Sequence, residues 1–127
     1  MAFTIKQIAN ICKADFISAY KKEECINYLL TDSRSIVIAD NCLFIALVSK
    51  YNDGHKYIEA LYKKGIKNFI VSKNIELIDE SGSIIKDVNI ILVDNTLDAL
   101  QKITSEHRKG FSYPLLTITG SNGRTIV

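Results

Sequence analysis

Short apolar runs separated by polar segments constrain the fold of this chain more than any other feature. The longest is Leu43-Phe44-Ile45-Ala46-Leu47-Val48, and shorter runs follow it along the chain. Unbroken runs of this length are typical of strands that are buried on both faces of a sheet. We therefore predict buried strands at four places, residues 43–48, 68–72, 89–94 and 115–119.

Helix signals lie before and between these runs. Thr4 with Gln7 three residues later has the form of a capping box, which predicts a helix over residues 4–12. Asp53 is placed to cap a second helix, and Gly65 is placed to end it in a left-handed conformation. Residues 13–30 carry no clear pattern.

A third helix is predicted after the third run. Asn95 or Thr96 would cap it, Gly110 would end it, and its inner face would carry Leu97, Leu100 and Ile103. Strands that alternate with helices predict an α/β domain with a mixed or mostly parallel sheet flanked by helices. Such sheets bind ligands beyond the carboxyl ends of their strands.

Composition excludes several classes of protein. The chain has 127 residues, of which 47% are hydrophobic and 24% are charged, so we expect one globular domain of ordinary size rather than disorder. A net charge of +2 is lower than is typical of a nucleic-acid-binding protein. No apolar run approaches the ~20 residues of a membrane span, and the start of the chain has no signal-peptide pattern. We expect neither nucleic acid nor membrane as a partner.

The cysteines predict a cytoplasmic location. Cys12, Cys25 and Cys42 are odd in number and lack C-x-x-C spacing, which argues against a disulfide framework or a structural zinc site. We expect them to be small, buried or half-buried apolar residues. His55 and His107 have no second ligand at suitable spacing, so we predict no metal site built from them.

The last predicted strand runs into a segment with the form of a phosphate-binding loop. It comprises Gly120, Ser121, Asn122, Gly123, Arg124 and Thr125. Backbone N–H groups freed by glycines face an anion, a basic residue meets the outer phosphates, and the hydroxyl of Thr125 is a possible Mg²⁺ ligand. The pattern departs from the common one at Ile118, where glycine is usual, and at Arg124, where lysine is usual.

A phosphate loop works at the start of a helix, and this sequence stops two residues after Thr125. We interpret the chain as a fragment of a longer ATP-using enzyme, and we expect it not to bind ATP usefully alone. An ordinary polar tail is the alternative reading of these residues.

Four segments in this order resemble the N-terminal domain of the Mur ligases and the first residues of their central ATPase domain. They are Thr31-Asp32-Ser33-Arg34, Leu43-Phe44-Ile45-Ala46-Leu47, Asp53-Gly54-His55-Lys56-Tyr57-Ile58 and Thr117-Ile118-Thr119-Gly120-Ser121-Asn122-Gly123. Mur ligases form amide bonds in peptidoglycan precursor synthesis. The resemblance implies a UDP-substrate-binding domain over residues 1–113. It also implies that residues 114–127 are the first strand and truncated phosphate loop of the next domain.

The resemblance implies a division of roles. UDP would be held by Thr31, Ser33, Lys50, Tyr51 and Asn52. ATP would be held by the loop from Gly120 to Thr125, with ATP and Mg²⁺ as cofactors of the full-length enzyme only. That enzyme would make an acyl-phosphate that an amine attacks, so no catalytic residue is expected in this chain. The family usually has glycine where this chain has Ser49.

Within the family, the end of the sequence most resembles members that add D-alanyl-D-alanine to UDP-N-acetylmuramoyl-tripeptide, in particular versions fused to an alanine racemase. Members that add the third peptide residue carry the same signals and stay open as an alternative. A non-enzymatic α/β nucleotide-binding module is the alternative from another class.

Overall fold

A computed structural model describes residues 3–31 and 41–110 of the chain. In chain order the elements are α1 (Ile5–Cys12), β1 (Asp15–Ser18), β2 (Tyr28–Leu30), β3 (Cys42–Ile45), a 3₁₀ helix (Gly54–Tyr57), α2 (Ile58–Lys63), β4 (Asn68–Val71), β5 (Asn89–Leu92) and α3 (Thr96–Gly110). The predicted fourth strand at 115–119 and the predicted domain boundary after residue 113 lie outside the described residues.

The strands form one mixed sheet in the order β1-β5-β4-β3-β2. Strands β2, β3, β4 and β5 run parallel to one another, and β1 pairs with β5 in the antiparallel sense. Parallel neighbours need crossover connections, and α2 lies in the connection between β3 and β4. The predicted α/β class with a mixed or mostly parallel sheet is confirmed.

The three central strands of the sheet, β3, β4 and β5, are buried on both faces. Alternate residues of each strand point to opposite sides, so Leu43 and Ile45 join one apolar cluster while Phe44 joins the other. The first cluster is covered by α1 and α3, and the second by α2 and the segment that joins β4 to β5. Within the described ranges, no helix has both the length and the apolar character that crossing a membrane requires.

The predicted helix starts are confirmed. The Thr4 hydroxyl accepts from the Gln7 N–H, and the Gln7 side chain accepts from the Thr4 N–H, which completes the capping box of α1. The Asn95 side chain accepts from the Asp98 N–H at the start of α3. Gly65 follows α2 with a φ of 113°, a conformation that L side chains rarely adopt.

One inner-face residue of α3 was wrongly predicted. Leu97 is 49% exposed, whereas Leu100 and Ile103 are buried as expected. The buried stripe also contains Thr96 and His107. At 3.6 residues per turn, Leu97 lies about a quarter of a turn away from the centre of that stripe.

Two strands and one cysteine also differ from expectation. β1 and β2 lie in the segment for which no element was predicted. They are only four and three residues long, which is too short to show a clear hydrophobic pattern. Cys12 and Cys42 are buried, but Cys25 is exposed, which corrects the prediction for that residue. Cys25 lies outside the strands, in an isolated bridge to Thr4.

A polar ladder joins the amino ends of the strands. The Asn68 side chain donates to the Cys42 carbonyl at 3.0 Å, and the Asn89 side chain donates to Asn68 Oδ1 at 2.9 Å. Asn89 Oδ1 accepts from the Tyr20 N–H at 2.6 Å. These nearly buried amides connect β3, β4, β5 and the segment after β1, so they hold neighbouring strands in register.

We predict that Asn89→Ala lowers the free energy of unfolding by about 2–4 kcal/mol, because it leaves the Tyr20 N–H and Asn68 Oδ1 without that partner. Chemical denaturation measures the change. Asn74→Ala removes an exposed amide in a loop and is the matched control, with an expected change of about 0.5 kcal/mol or less. Equal effects of the two substitutions would contradict a structural role for the ladder.

Candidate functional site

The carboxyl ends of β2, β3, β4 and β5 lie at one edge of the sheet because these strands are parallel. Thr31 follows β2 and is half-buried. The segment of residues 46–53 follows β3, and Ser72 and Lys73 follow β4. This edge therefore gathers the candidate binding residues that the structure describes.

Residues 49–52, which we call the edge loop, form a closed turn. Val48 and Asp53 pair as an isolated antiparallel bridge at its base. The Ser49 N–H donates to the Asn52 carbonyl at 2.7 Å, and the Ser49 hydroxyl donates to the same oxygen at 3.2 Å. Ser49 is not among the described non-glycine residues with positive φ, so the turn forms without the glycine that is usual in the Mur ligases.

The tip of the edge loop presents an aromatic ring and a cation. Tyr51 is 87% exposed, and the Lys50 ammonium lies 5.4 Å from the centre of its ring. The Asn52 side chain is bound by a residue of the following 3₁₀ helix, because the Tyr57 hydroxyl donates to Asn52 Oδ1 at 3.3 Å. An exposed ring beside a lysine is suited to stack on a planar base and to attract an anionic group.

A hydrogen-bonded chain joins the base of the edge loop to the end of β4. The Ser72 N–H donates to His55 Nε2 at 2.9 Å, and His55 Nδ1 lies 2.6 Å from Asp53 Oδ1. The Asp53 carboxylate also accepts from the His55 N–H, as the cap of the 3₁₀ helix, and from the Lys73 ammonium. His55 therefore has a structural role at this edge.

The Lys73 ammonium holds the pKa of the Asp53 carboxyl well below its usual range, and hydrogen bonds from His55 act in the same direction. Desolvation opposes these effects but is outweighed. Asp53 is therefore a carboxylate at neutral pH, and it is paired with Lys73 and His55 rather than available to bind a cation.

Gly54 is required by close packing of the backbone. A Cβ atom at this position would lie 3.0 Å from Ala46 Cα and from the backbone N and O of Leu47. The Gly54 N–H donates to the Leu47 carbonyl at 2.8 Å, which seats the start of the 3₁₀ helix against the segment after β3. Any side chain here would push the two segments apart.

The structure brings some of the predicted UDP-binding residues together. Lys50, Tyr51 and Asn52 share the edge loop, and Thr31 follows the neighbouring strand at the same edge. Ser33 lies outside the described residues. Their contact with UDP stays a prediction.

The predicted ATP-binding residues all lie outside the described residues. These are Gly120, Ser121, Asn122, Gly123, Arg124 and Thr125, the last of them the possible Mg²⁺ ligand. Within residues 3–31 and 41–110, no three His, Cys, Asp or Glu side chains are grouped so as to hold a metal ion.

Sequence reasoning missed Lys73 and Tyr57 as members of this edge. A signal for Lys73 was available, because it directly follows a predicted strand and must therefore lie at the same edge as the loop after β3. Tyr57 is the last residue of the 3₁₀ helix, and its ring is partly buried against the second apolar cluster while its hydroxyl reaches Asn52.

The fold and site define an α/β domain with a polar edge suited to binding a ligand, and solved structures share that fold. A crystal structure of MurF from Acinetobacter baumannii matches 86% of this chain and 21% of its own, with a TM-score of 0.70 and 20% sequence identity. No protein-family model matches the chain.

Sequence relatives identify the family. The chain is 33% identical over 127 residues to the UDP-N-acetylmuramoyl-tripeptide–D-alanyl-D-alanine ligase of Buchnera aphidicola, covering 100% of this chain and 25% of that protein. It is 28% identical over 122 residues to the ligase of the same name from Bacillus subtilis, covering 96% and 25%. The chain is homologous to the N-terminal part of the Mur ligases.

The chain spans about a quarter of the length of these curated relatives. A second ligase type also matches. The UDP-N-acetylmuramoyl-L-alanyl-D-glutamate–2,6-diaminopimelate ligase of Clostridium botulinum is 35% identical over 113 residues, covering 87% of this chain and 22% of that protein.

We predict that Asp53→Asn destabilises the chain at neutral pH and that the stability difference narrows as the pH falls below the unfolded pKa of the carboxyl. The folded-state pKa of Asp53 is lowered, so its carboxylate contributes stability above the unfolded pKa of about 3.9. That contribution is lost as the pH falls through the folded-state pKa. Urea denaturation of both proteins between pH 7 and pH 2 measures the difference.

The matched control is Asp98→Asn, which breaks an exposed ion pair with Lys102 on α3 and should change stability by about 0.5 kcal/mol or less. A stability difference for Asp53→Asn that is independent of pH would contradict the charge-based explanation.

Proposed function

We propose that this chain is the UDP-binding N-terminal part of an ATP-dependent, amide-forming ligase of peptidoglycan precursor synthesis. In this proposal it anchors the UDP end of UDP-N-acetylmuramoyl-tripeptide while the rest of the ligase adds D-alanyl-D-alanine. ATP and Mg²⁺ act only in that longer protein, at the loop around Gly123 and Thr125. The cytoplasmic location predicted from the cysteines is part of the proposal.

The observation that carries the proposal is the Lys50–Tyr51 pair at the tip of the edge loop. The ring of Tyr51 is almost fully exposed and available to stack on uracil. Lys50 lies in the edge loop and Lys56 lies in the 3₁₀ helix that follows it, and their positive charge favours a diphosphate. The relatives are ligases named for UDP-N-acetylmuramoyl-tripeptide, which supports this compound as the one that carries the diphosphate.

A second candidate is the ligase that adds the third peptide residue. The match to the Clostridium botulinum protein favours it, at an identity similar to that of the first group. Both candidates use a UDP-linked substrate, so they assign the same role to the edge loop. The proposed fusion to an alanine racemase stays a prediction.

We predict that UDP causes saturable NMR shifts at the amides of Lys50, Tyr51 and Asn52 in the 127-residue chain. Tyr51→Ala should raise the dissociation constant about tenfold, the order expected when stacking on one base is lost. UDP-N-acetylmuramoyl-tripeptide should shift the same amides. Ser33→Ala tests one of the two remaining predicted contacts, the other being Thr31, in the same titration.

Tyr20→Ala is the matched control. Tyr20 is also partly exposed and lies beside Lys21, whose ammonium is 5.3 Å from its ring centre, but it is at the opposite edge of the sheet. Its loss should leave UDP affinity unchanged. Shifts confined to the amino edge, or no shift with either uridine ligand, would contradict the proposal. Tight, magnesium-dependent binding of ATP would contradict the expectation that this chain does not bind ATP usefully.

A further inference from the structure

We propose that His55 is a positioning residue that seats the edge loop against the end of β4 and thereby sets the affinity for the uridine nucleotide. The inference rests on the proposed function for its ligand. Its geometry is independent of that function, because it depends only on contacts among Asp53, His55 and Ser72.

The hydrogen bonds determine which nitrogen of His55 carries the proton. Nε2 accepts from the Ser72 N–H, so the proton must be on Nδ1, which then donates to Asp53 Oδ1. The side chain is only 7% exposed, which shields both hydrogen bonds from competition by water. The imidazole thus acts as a directional connector with one donor and one acceptor in use.

The two hydrogen bonds do different things. The bond to Asp53 stays within the capping turn, where the His55 N–H already binds the same carboxylate. The bond from Ser72 crosses to another strand, 17 residues away. Of these two hydrogen bonds, only the second fixes the loop base relative to the sheet, where it acts beside the Lys73–Asp53 ion pair, and Asp53 directly follows the edge loop. A ligand held at Tyr51 therefore depends on this contact for the orientation of the loop.

Two substitutions of His55, each of which can preserve one of its two hydrogen bonds, distinguish the roles of these bonds. In His55→Asn the side-chain amide occupies the place of Nδ1, so the link to Asp53 can form but Ser72 loses its acceptor. In His55→Gln the side-chain oxygen reaches the place of Nε2 and can accept from Ser72. His55→Ala removes both. Lys73 is left intact in every variant, because its charge lies at the same edge as the ligand.

The matched control is His107→Gln, which removes the other buried imidazole of the described chain. His107 lies on α3 in an edge-to-face contact with Phe3, on the opposite side of the sheet from α2. This control shows what general destabilisation alone does to ligand affinity. The melting temperature of every variant is measured beside its affinity for UDP.

We expect His55→Ala to raise the dissociation constant for UDP roughly tenfold. His55→Asn should behave like His55→Ala, and His55→Gln should recover most of the affinity. His107→Gln should lower the melting temperature and leave the affinity unchanged. Recovery by His55→Asn instead of His55→Gln, or an unchanged affinity in His55→Ala, would overturn the proposal.

Amide hydrogen exchange gives a second readout that needs no ligand. In His55→Ala the amides of Ser49, Gly54 and Ser72 should exchange faster, while those of Phe69 and Ile70 should keep their protection. If the unmodified chain fails to bind UDP, the proposed function is contradicted, and exchange alone decides the positioning role. Unchanged exchange at Ser49 and Gly54 in His55→Ala would then overturn that role.

Discussion

Burial of the sheet on both faces is the constraint on which the rest of this structure depends. It requires apolar side chains on both sides of β3, β4 and β5, and a helical layer over each cluster. Parallel pairing then brings the carboxyl ends of four strands to one edge. The polar loops lie at this edge because the helical layers do not cover the backbone there.

The central strands were predictable because their signal is local. The run at residues 43–48 predicts β3, although the strand itself is Cys42–Ile45 and Val48 is exposed at the base of the edge loop. The capping box of Thr4 was equally readable, because both of its partners lie within one helical turn. β1 and β2 were not predictable, since each is too short to show a period and is stabilised by its neighbour in the sheet.

The candidate site likewise has a part that could be predicted from the sequence and a part that could not. Lys50, Tyr51 and Asn52 were predicted from a resemblance of short segments, and the structure places them together in one exposed turn. The contacts of His55 with Ser72 and of Asp53 with Lys73 were not predicted. They join residues 17 and 20 positions apart, and they depend on which strand lies beside β3.

Because of those contacts, the conformation of the edge loop depends on the folded sheet and not on the loop's own sequence alone. Ser72 and Lys73 reach the loop base only once β4 has paired with β3, so the turn completes its shape after a non-local pairing has formed. A peptide excised as residues 46–57 would retain Asp53 as a cap but would lose the backbone donor and the ammonium that hold it. Transplanting the edge loop into another protein with its shape preserved would therefore require two adjacent parallel strands, and not the loop alone.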